Sequence, residues 1–168
     1  RDYAVTGVQT CALPIFPIIN ENDTVATEEL QFGENDTLSA MVAGLIGADL
    51  LVLVSDVDGL YTGDPHRDSG ARRLAQVEEI TPEIMAAAGG TGSAVGSGGM
   101  QTKIEAARIA TSSGCPLALI NGDPPGNLAR LLAGEDIGTL FLPGPRPLQA
   151  RDQWIAFGQV ATGELRVD

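Results

Sequence analysis

The chain has 168 residues, 43% hydrophobic and 19% charged, with a formal net charge of −12. That composition is globular and the length suits one ordinary domain or a piece of a larger one. A surface this acidic excludes nonspecific nucleic-acid binding, which rests on Lys and Arg neutralising phosphates; it leaves room for a single nucleotide in a local pocket.

The chain opens on "VTGVQTCALPI", Val5 to Ile15, which resembles the translation of a sequencing-adapter oligonucleotide. Residues 1–15 are therefore set aside as a non-native scar, with native protein expected from Phe16. "FPIIN", Phe16 to Asn20, reads as a short buried strand ending in polar residues. A polar stretch follows, with a hairpin expected around Gly33. In "DTLSAMVAGLIGA", Asp36 to Ala48, residues Leu38, Met41, Val42, Leu45 and Ile46 recur at helical spacing. "DLLVLVSD", Asp49 to Asp56, reads as a central parallel strand. Loop chemistry fills Asp56 to Leu74: Asp-Gly, Gly-Asp-Pro and Ser-Gly. "TPEIMAAAG" is a short helix with Thr81 as N-cap and Pro82 at its first position.

A flexible glycine loop is expected over Gly89 to Gly99, then a helix over Met100 to Gly114 that ends on glycine. "CPLALING" is a strand, "PPGNLARLLAGE" a helix and "GTLFLP" a last strand. Strands alternating with helices give α/β order with a parallel sheet. "GPRPLQARDQ" looks like a linker. No run approaches the ~20 apolar residues of a membrane span, and no signal-peptide layout is visible. The two cysteines, Cys11 and Cys115, have no metal-ligand spacing, which points to the cytoplasm.

The chemistry centres on "GSGGMQTK", residues 96–103, which ends in the only lysine of the chain. The spacing matches neither a P-loop nor a Rossmann turn. The physics of anion binding nonetheless applies: glycines let backbone N–H groups approach a ligand, and a helix start concentrates unpaired donors. Lys103, expected in the first turn, is there opposed by the helix dipole, a conflict that a bound anion removes. The bland alternative is a mobile loop carrying a solvated lysine.

Polar residues also cluster where strands end: Asn20, Glu21, Asn22 and Asp23; Ser55, Asp56 and Asp58; Asn121 and Asp123. In parallel sheets such ends rim one crevice. Asn35 and Asp36 open the first helix, where capping is the simpler reading. His66 reads as a solvated turn residue, and Tyr61 either packs on an adenine or covers the sheet edge.

Taken together, "PIINENDTVAT", "FGENDTLSA", "VSDVDGLYTGDP" and "GSGGMQTKIEAARIA" resemble the glutamate-phosphorylating branch of the amino acid kinase family, over Phe16 to Pro143. The resemblance implies the α/β amino acid kinase (carbamate kinase-like) fold, here its C-terminal, nucleotide-binding portion with a mostly parallel sheet over 16–143. It implies ATP, Mg2+ and L-glutamate as ligands, a homo-oligomeric parent, a place in proline biosynthesis, and neither a membrane nor a dedicated protein metal site. By the same resemblance Asp23 and Asn35 bind the amino acid, and Asp36 orients catalytic lysines. Ser55 and Asp56 contact ATP, and Ser97, Gly98, Gly99, Met100, Gln101, Thr102 and Lys103 wrap the phosphates, with Lys103 catalytic.

"RDQWIAFG" resembles the start of a PUA domain, so 144–168 is expected to be linker and the beginning of that domain. The family's second catalytic lysine has no counterpart here, so the chain as it stands is expected to lack kinase activity. The residues leave open a sibling kinase acting on acetylglutamate, aspartate, carbamate or UMP. They also leave open a non-catalytic nucleotide-binding module.

Overall fold

The structure is a computed structural model in which residues 16–20, 35–65, 68–88 and 97–145 are described. Helix α1 (Asn35–Ile46) leads into strand β1 (Leu51–Ser55). A short strand β2 (Gln76–Val77), helices α2 (Pro82–Ala88) and α3 (Ser97–Ser112), strand β3 (Leu117–Asn121), helix α4 (Asn127–Leu132) and strand β4 (Thr139–Phe141) follow. The four strands lie in the order β1-β3-β4-β2.

The two helices that feed β1 and β3 end by the same device. Gly47 and Gly114 take positive φ, 63° and 88°. The amide of the residue after each glycine then reaches back, Ala48 to the Ala43 carbonyl and Cys115 to the Ala110 carbonyl. This satisfies the last carbonyls and turns the chain sharply. Each helix therefore runs antiparallel to the strand it precedes. Because β1 and β3 pair in parallel, Leu51 against Leu117 through Ser55 against Asn121, α1 and α3 are parallel to each other. Their N-termini lie at the carboxyl edge of the sheet.

These two helices pack together through small residues. Ala40 and Ala43 of α1 are buried, as are Ala106, Ala107 and Ala110 of α3. The expected apolar face of α1 divides instead. Met41 joins the core, Leu38 and Val42 are half-buried, and Leu45 and Ile46 are exposed. Alanines won the buried face because two helices approach closely only where side chains are short. Below them β3 is the buried centre of the sheet, with Leu117, Ala118, Leu119 and Ile120 all inaccessible and Phe141 of β4 beside them.

Four expectations need correction. Phe16 to Asn20 forms no strand; it joins no ladder among the described residues, and Phe16 and Ile18 are exposed. Strand β1 is outermost rather than central in the described sheet, paired on one side only. Strand β4 runs antiparallel to β3 although it pairs in parallel with β2; the sheet is mostly parallel, as the family resemblance implies, and not the wholly parallel one that element order alone suggests. Finally, α3 starts at Ser97, not Met100, and takes up the end of the glycine stretch. The α2 reading holds: the Ile84 amide donates to Thr81 Oγ1 at 3.4 Å, with Pro82 opening the helix. The hairpin around Gly33 and the PUA-like tail lie outside the described residues.

Candidate nucleotide site

The carboxyl edge gathers most of the residues singled out above. Ser55 ends β1 opposite Asn121, which ends β3. Ser55 Oγ donates to Asp56 Oδ1 at 3.0 Å. Asn121 Nδ2 donates to the Asp56 carbonyl at 3.3 Å, and the Gly122 amide to the Ser55 carbonyl at 2.8 Å. Asn121 Oδ1 in turn accepts from the Asp123 amide at 2.8 Å, and Asn127 Nδ2 donates to the Asn121 carbonyl at 3.0 Å. Two of the three expected strand-end clusters thus form one hydrogen-bonded rim. The third is represented by Asn20, whose Oδ1 accepts from Asn35 Nδ2 at 3.1 Å. Asp23 and its neighbours lie outside the described residues.

Above this rim stand the two helix starts. The first turn of α3 holds Ser97, Gly98 and Gly99, with Met100, Gln101 and Thr102 continuing it. Its leading amides have no intrahelical acceptor. A side chain added at Gly99 would meet nothing within 4 Å, so the helix end has free space on that side. Thr102 Oγ1 folds back to the Gly99 carbonyl at 3.0 Å and is spent on the helix itself.

Lys103 falls in the second turn, because α3 begins earlier than the sequence suggests. The expected opposition by the dipole is correspondingly weaker. Its charge is also answered directly: Nζ lies 3.0 Å from Asp36 Oδ2 in the first turn of α1. The two side chains are 17% and 23% exposed. The pair is sheltered enough to be ordered and open enough to meet a ligand. Asp36 lies within the first turn of α1 and fixes the ammonium between two helix N-termini, both of which favour an anion.

A second element borders the rim. The stretch after Asp56 forms an arm in which Leu60 to Thr62 run back along Arg72 to Leu74. Leu74 N donates to the Leu60 carbonyl, Thr62 N to the Arg72 carbonyl, and Tyr61 bridges Arg73. Tyr61 Oη donates to Asp58 Oδ2 at 2.9 Å. That bond to a carboxylate, helped by burial, holds the phenol proton and raises its pKa above the ordinary value. His66 lies outside the described residues. Among the described residues no group of three ligating side chains is placed to hold a metal. A Mg2+ ion carried on a triphosphate needs only one or two carboxylates beside its waters, and Asp56 at the rim is of that type.

Sequence reasoning passed over one residue of this region, Thr139. Its only signal is a lone hydroxyl in an apolar strand, "GTLFLP".

Comparison with known proteins gives the following. The sequence profile of the amino acid kinase family matches residues 9–121. The chain is 54% identical over 154 residues to glutamate 5-kinase of Carboxydothermus hydrogenoformans, covering 92% of this chain and 41% of that protein. It is 53% identical over 154 residues to glutamate 5-kinase of Myxococcus xanthus, with the same coverages of 92% and 41%. The chain therefore spans about 41% of the length of the curated relatives it matches. Among solved structures, UMP kinase from Bacillus anthracis superposes with a TM-score of 0.50 at 23% identity, over 66% of this chain and 41% of that one. At that identity the likeness concerns the fold alone.

Proposed function

The chain belongs to the amino acid kinase family, and from that premise we propose that it forms the nucleotide-binding portion of a glutamate 5-kinase. The reaction is transfer of the γ-phosphoryl group of MgATP to the γ-carboxylate of L-glutamate. A carboxylate oxygen attacks the γ-phosphorus, the bond from that phosphorus to the ADP oxygen breaks, and ADP leaves with the electron pair. The product, γ-glutamyl phosphate, enters proline biosynthesis.

Phosphoryl transfer of this kind needs positioning and neutralisation of the phosphoryl oxygens more than covalent chemistry. The residues present offer the positioning and one part of the neutralisation. In this reading the leading amides of α3 take the phosphates, and Lys103 stabilises charge on the transferring group. Asp36 holds the ammonium in place. Ser55 and Asp56 line the nucleotide from the strand ends, and Asp56 offers a carboxylate to the Mg2+ that ATP carries. Asn35, beside Asn20, and Asp23 are assigned to glutamate. The names of the relatives support this substrate over a sibling acceptor.

The observation that carries the reading is the Lys103–Asp36 pair, which joins the starts of two parallel helices above the carboxyl edge at 3.0 Å. Calorimetric titration of MgATP into the purified chain tests it. Binding is expected, and Lys103→Ala is expected to abolish most of it while the protein keeps its fold by circular dichroism. Equal affinity in the folded variant would refute the phosphate-site assignment.

A further inference from the structure

We propose that Thr139 of β4, with Arg73, is a positioning clamp that sets the arm over Leu60–Asp64 and Asp68–Leu74 against the carboxyl edge and so shapes the nucleotide site. The inference rests on the nucleotide reading above and adds residues to it.

Thr139 is 1% exposed. Its hydroxyl makes two bonds, one to each side of the arm's base. Oγ1 accepts from the Leu60 amide at 2.8 Å and donates to the Leu74 carbonyl at 2.6 Å. A hydroxyl is the smallest group that both accepts and donates at one atom, so it closes the base of the arm where an apolar side chain would leave two buried backbone groups unpaired. The fit depends on Gly59 next in the chain. Its φ is 146°, and a Cβ there would stand 2.6 Å from Thr139 Oγ1. No other residue combines that backbone with that clearance.

Arg73 fastens the outer side. Nη1 donates to the Gly138 carbonyl, and Nη2 reaches the Asp136 carbonyl at 3.2 Å and Asp136 Oδ1 at 2.9 Å. The clamp is therefore two-pronged, Thr139 reaching from β4 to the arm and Arg73 from the arm to the turn before β4.

The direction of β4 gives the clamp its purpose. Being antiparallel to β3, with Thr139 opposite Leu119, β4 starts toward the edge where β3 ends. Its first residue thus stands beside the middle of β3, two positions along that strand from Asn121 at the rim, and the chain enters β4 from the rim side. The clamped segment begins at Gly59, directly after Asp56 and Asp58, and carries Tyr61 with its bond to Asp58. A shift at Leu60 is passed to the rim through three residues of chain. Thr139 touches no ligand in this scheme; it acts through Asp56, Asp58 and Tyr61.

The test compares Thr139→Val, Thr139→Ser and Arg73→Gln in the full chain, with MgATP affinity and amide hydrogen exchange read separately. Thr139→Val is expected to weaken MgATP binding roughly five- to thirtyfold, the span of one or two lost interactions. It should also speed exchange at Leu60 and Thr62 while β3 and α3 keep their protection. Thr139→Ser keeps the hydroxyl and is expected to restore both. Arg73→Gln, at the less buried prong, is expected to move both in the same direction and serves if Thr139→Val does not fold. Local exchange and affinity unchanged in the folded variants, with the parent chain binding MgATP normally, would overturn the clamp alone. Absence of MgATP binding by the parent chain would overturn the site reading and the clamp's role with it.

Discussion

At the level of single residues, Lys103 and Asp36 have opposite parts in one ion pair. The ammonium attracts phosphate; the carboxylate holds the ammonium still and itself repels phosphate. Their substitutions should therefore diverge. Asp36→Asn removes a negative charge beside the site, so MgATP affinity is expected to stay equal or rise. Stability is expected to fall by about 1 kcal/mol, between the values for exposed and buried pairs. Thermal denaturation alongside calorimetric titration checks both. A loss of affinity as large as that of Lys103→Ala would show that orientation of the lysine outweighs its charge. Cys115 belongs to another kind of residue. It is buried beneath α3, and burial raises its thiol pKa, so it is a small hydrophobe, not a nucleophile.

At the level of elements, the ion pair depends on how closely two helices approach. Asp36 lies on one stripe of α1 with Ala40 and Ala43, at helical spacing. Lys103 lies on one stripe of α3 with Ala107 and Ala110. Since the helices are parallel and Lys103 meets Asp36, the periodicity sets the two alanine rows facing each other below the pair. Ala107 has no exposed surface. Ala107→Leu is expected to cost about 1–3 kcal/mol through overpacking. It is also expected to part the helices and weaken MgATP binding, although the side chain touches no ligand. A melting curve with a parallel titration measures both effects; lost stability with full affinity would mean that the helices move without parting at Lys103.

Element boundaries also show what the sequence made legible. The strands "DLLVLVSD" and "CPLALING" and the capped helix at Thr81 were readable because continuous apolar runs and cap residues are strong local signals. Ser55, Asp56 and Lys103 stand out in the sequence as a strand end and a glycine-rich helix start, and Asp36 through resemblance to a family; the structure brings Ser55 against Asp56 and Lys103 against Asp36. Three features were not readable. The start of α3 at Ser97 runs against glycine's low helix propensity, so the glycines read as loop. Strand β2 has two residues, too few to show a period. The direction of β4 is a matter of its partner strand, and no alternation within "GTLFLP" encodes it. Thr139 escaped notice because a buried hydroxyl declares itself only through partners, here distant in sequence.

At the level of the whole molecule, charge is scarce where the reaction needs it. The net charge is −12, and one lysine stands in the entire sequence. A phosphoryl group in transfer spreads negative charge over three equatorial oxygens. One ammonium already shared with Asp36 is a thin counterweight. The chain as given is accordingly expected to bind MgATP but to form no γ-glutamyl phosphate above background. An assay trapping the acyl phosphate with hydroxylamine reads this directly. Turnover at rates typical of kinases would show that helix amides and Lys103 suffice together. No helix among the described residues is long and apolar enough to cross a membrane.

The Leu60–Thr139 bond joins positions 79 residues apart in the chain, and that separation has a consequence in time. At about 5–20 residues per second of synthesis, Leu60 is made roughly 4–16 s before Thr139. By its end α1, β1 and α3 have all been synthesised, whereas the arm must wait with its base unlatched and its amides on water. Closing so long a loop comes late because its entropy must be met before the contact returns anything. In the newborn protein the arm beside Asp56 and Asp58 is thus among the last parts to take shape, and it does so when β4 arrives.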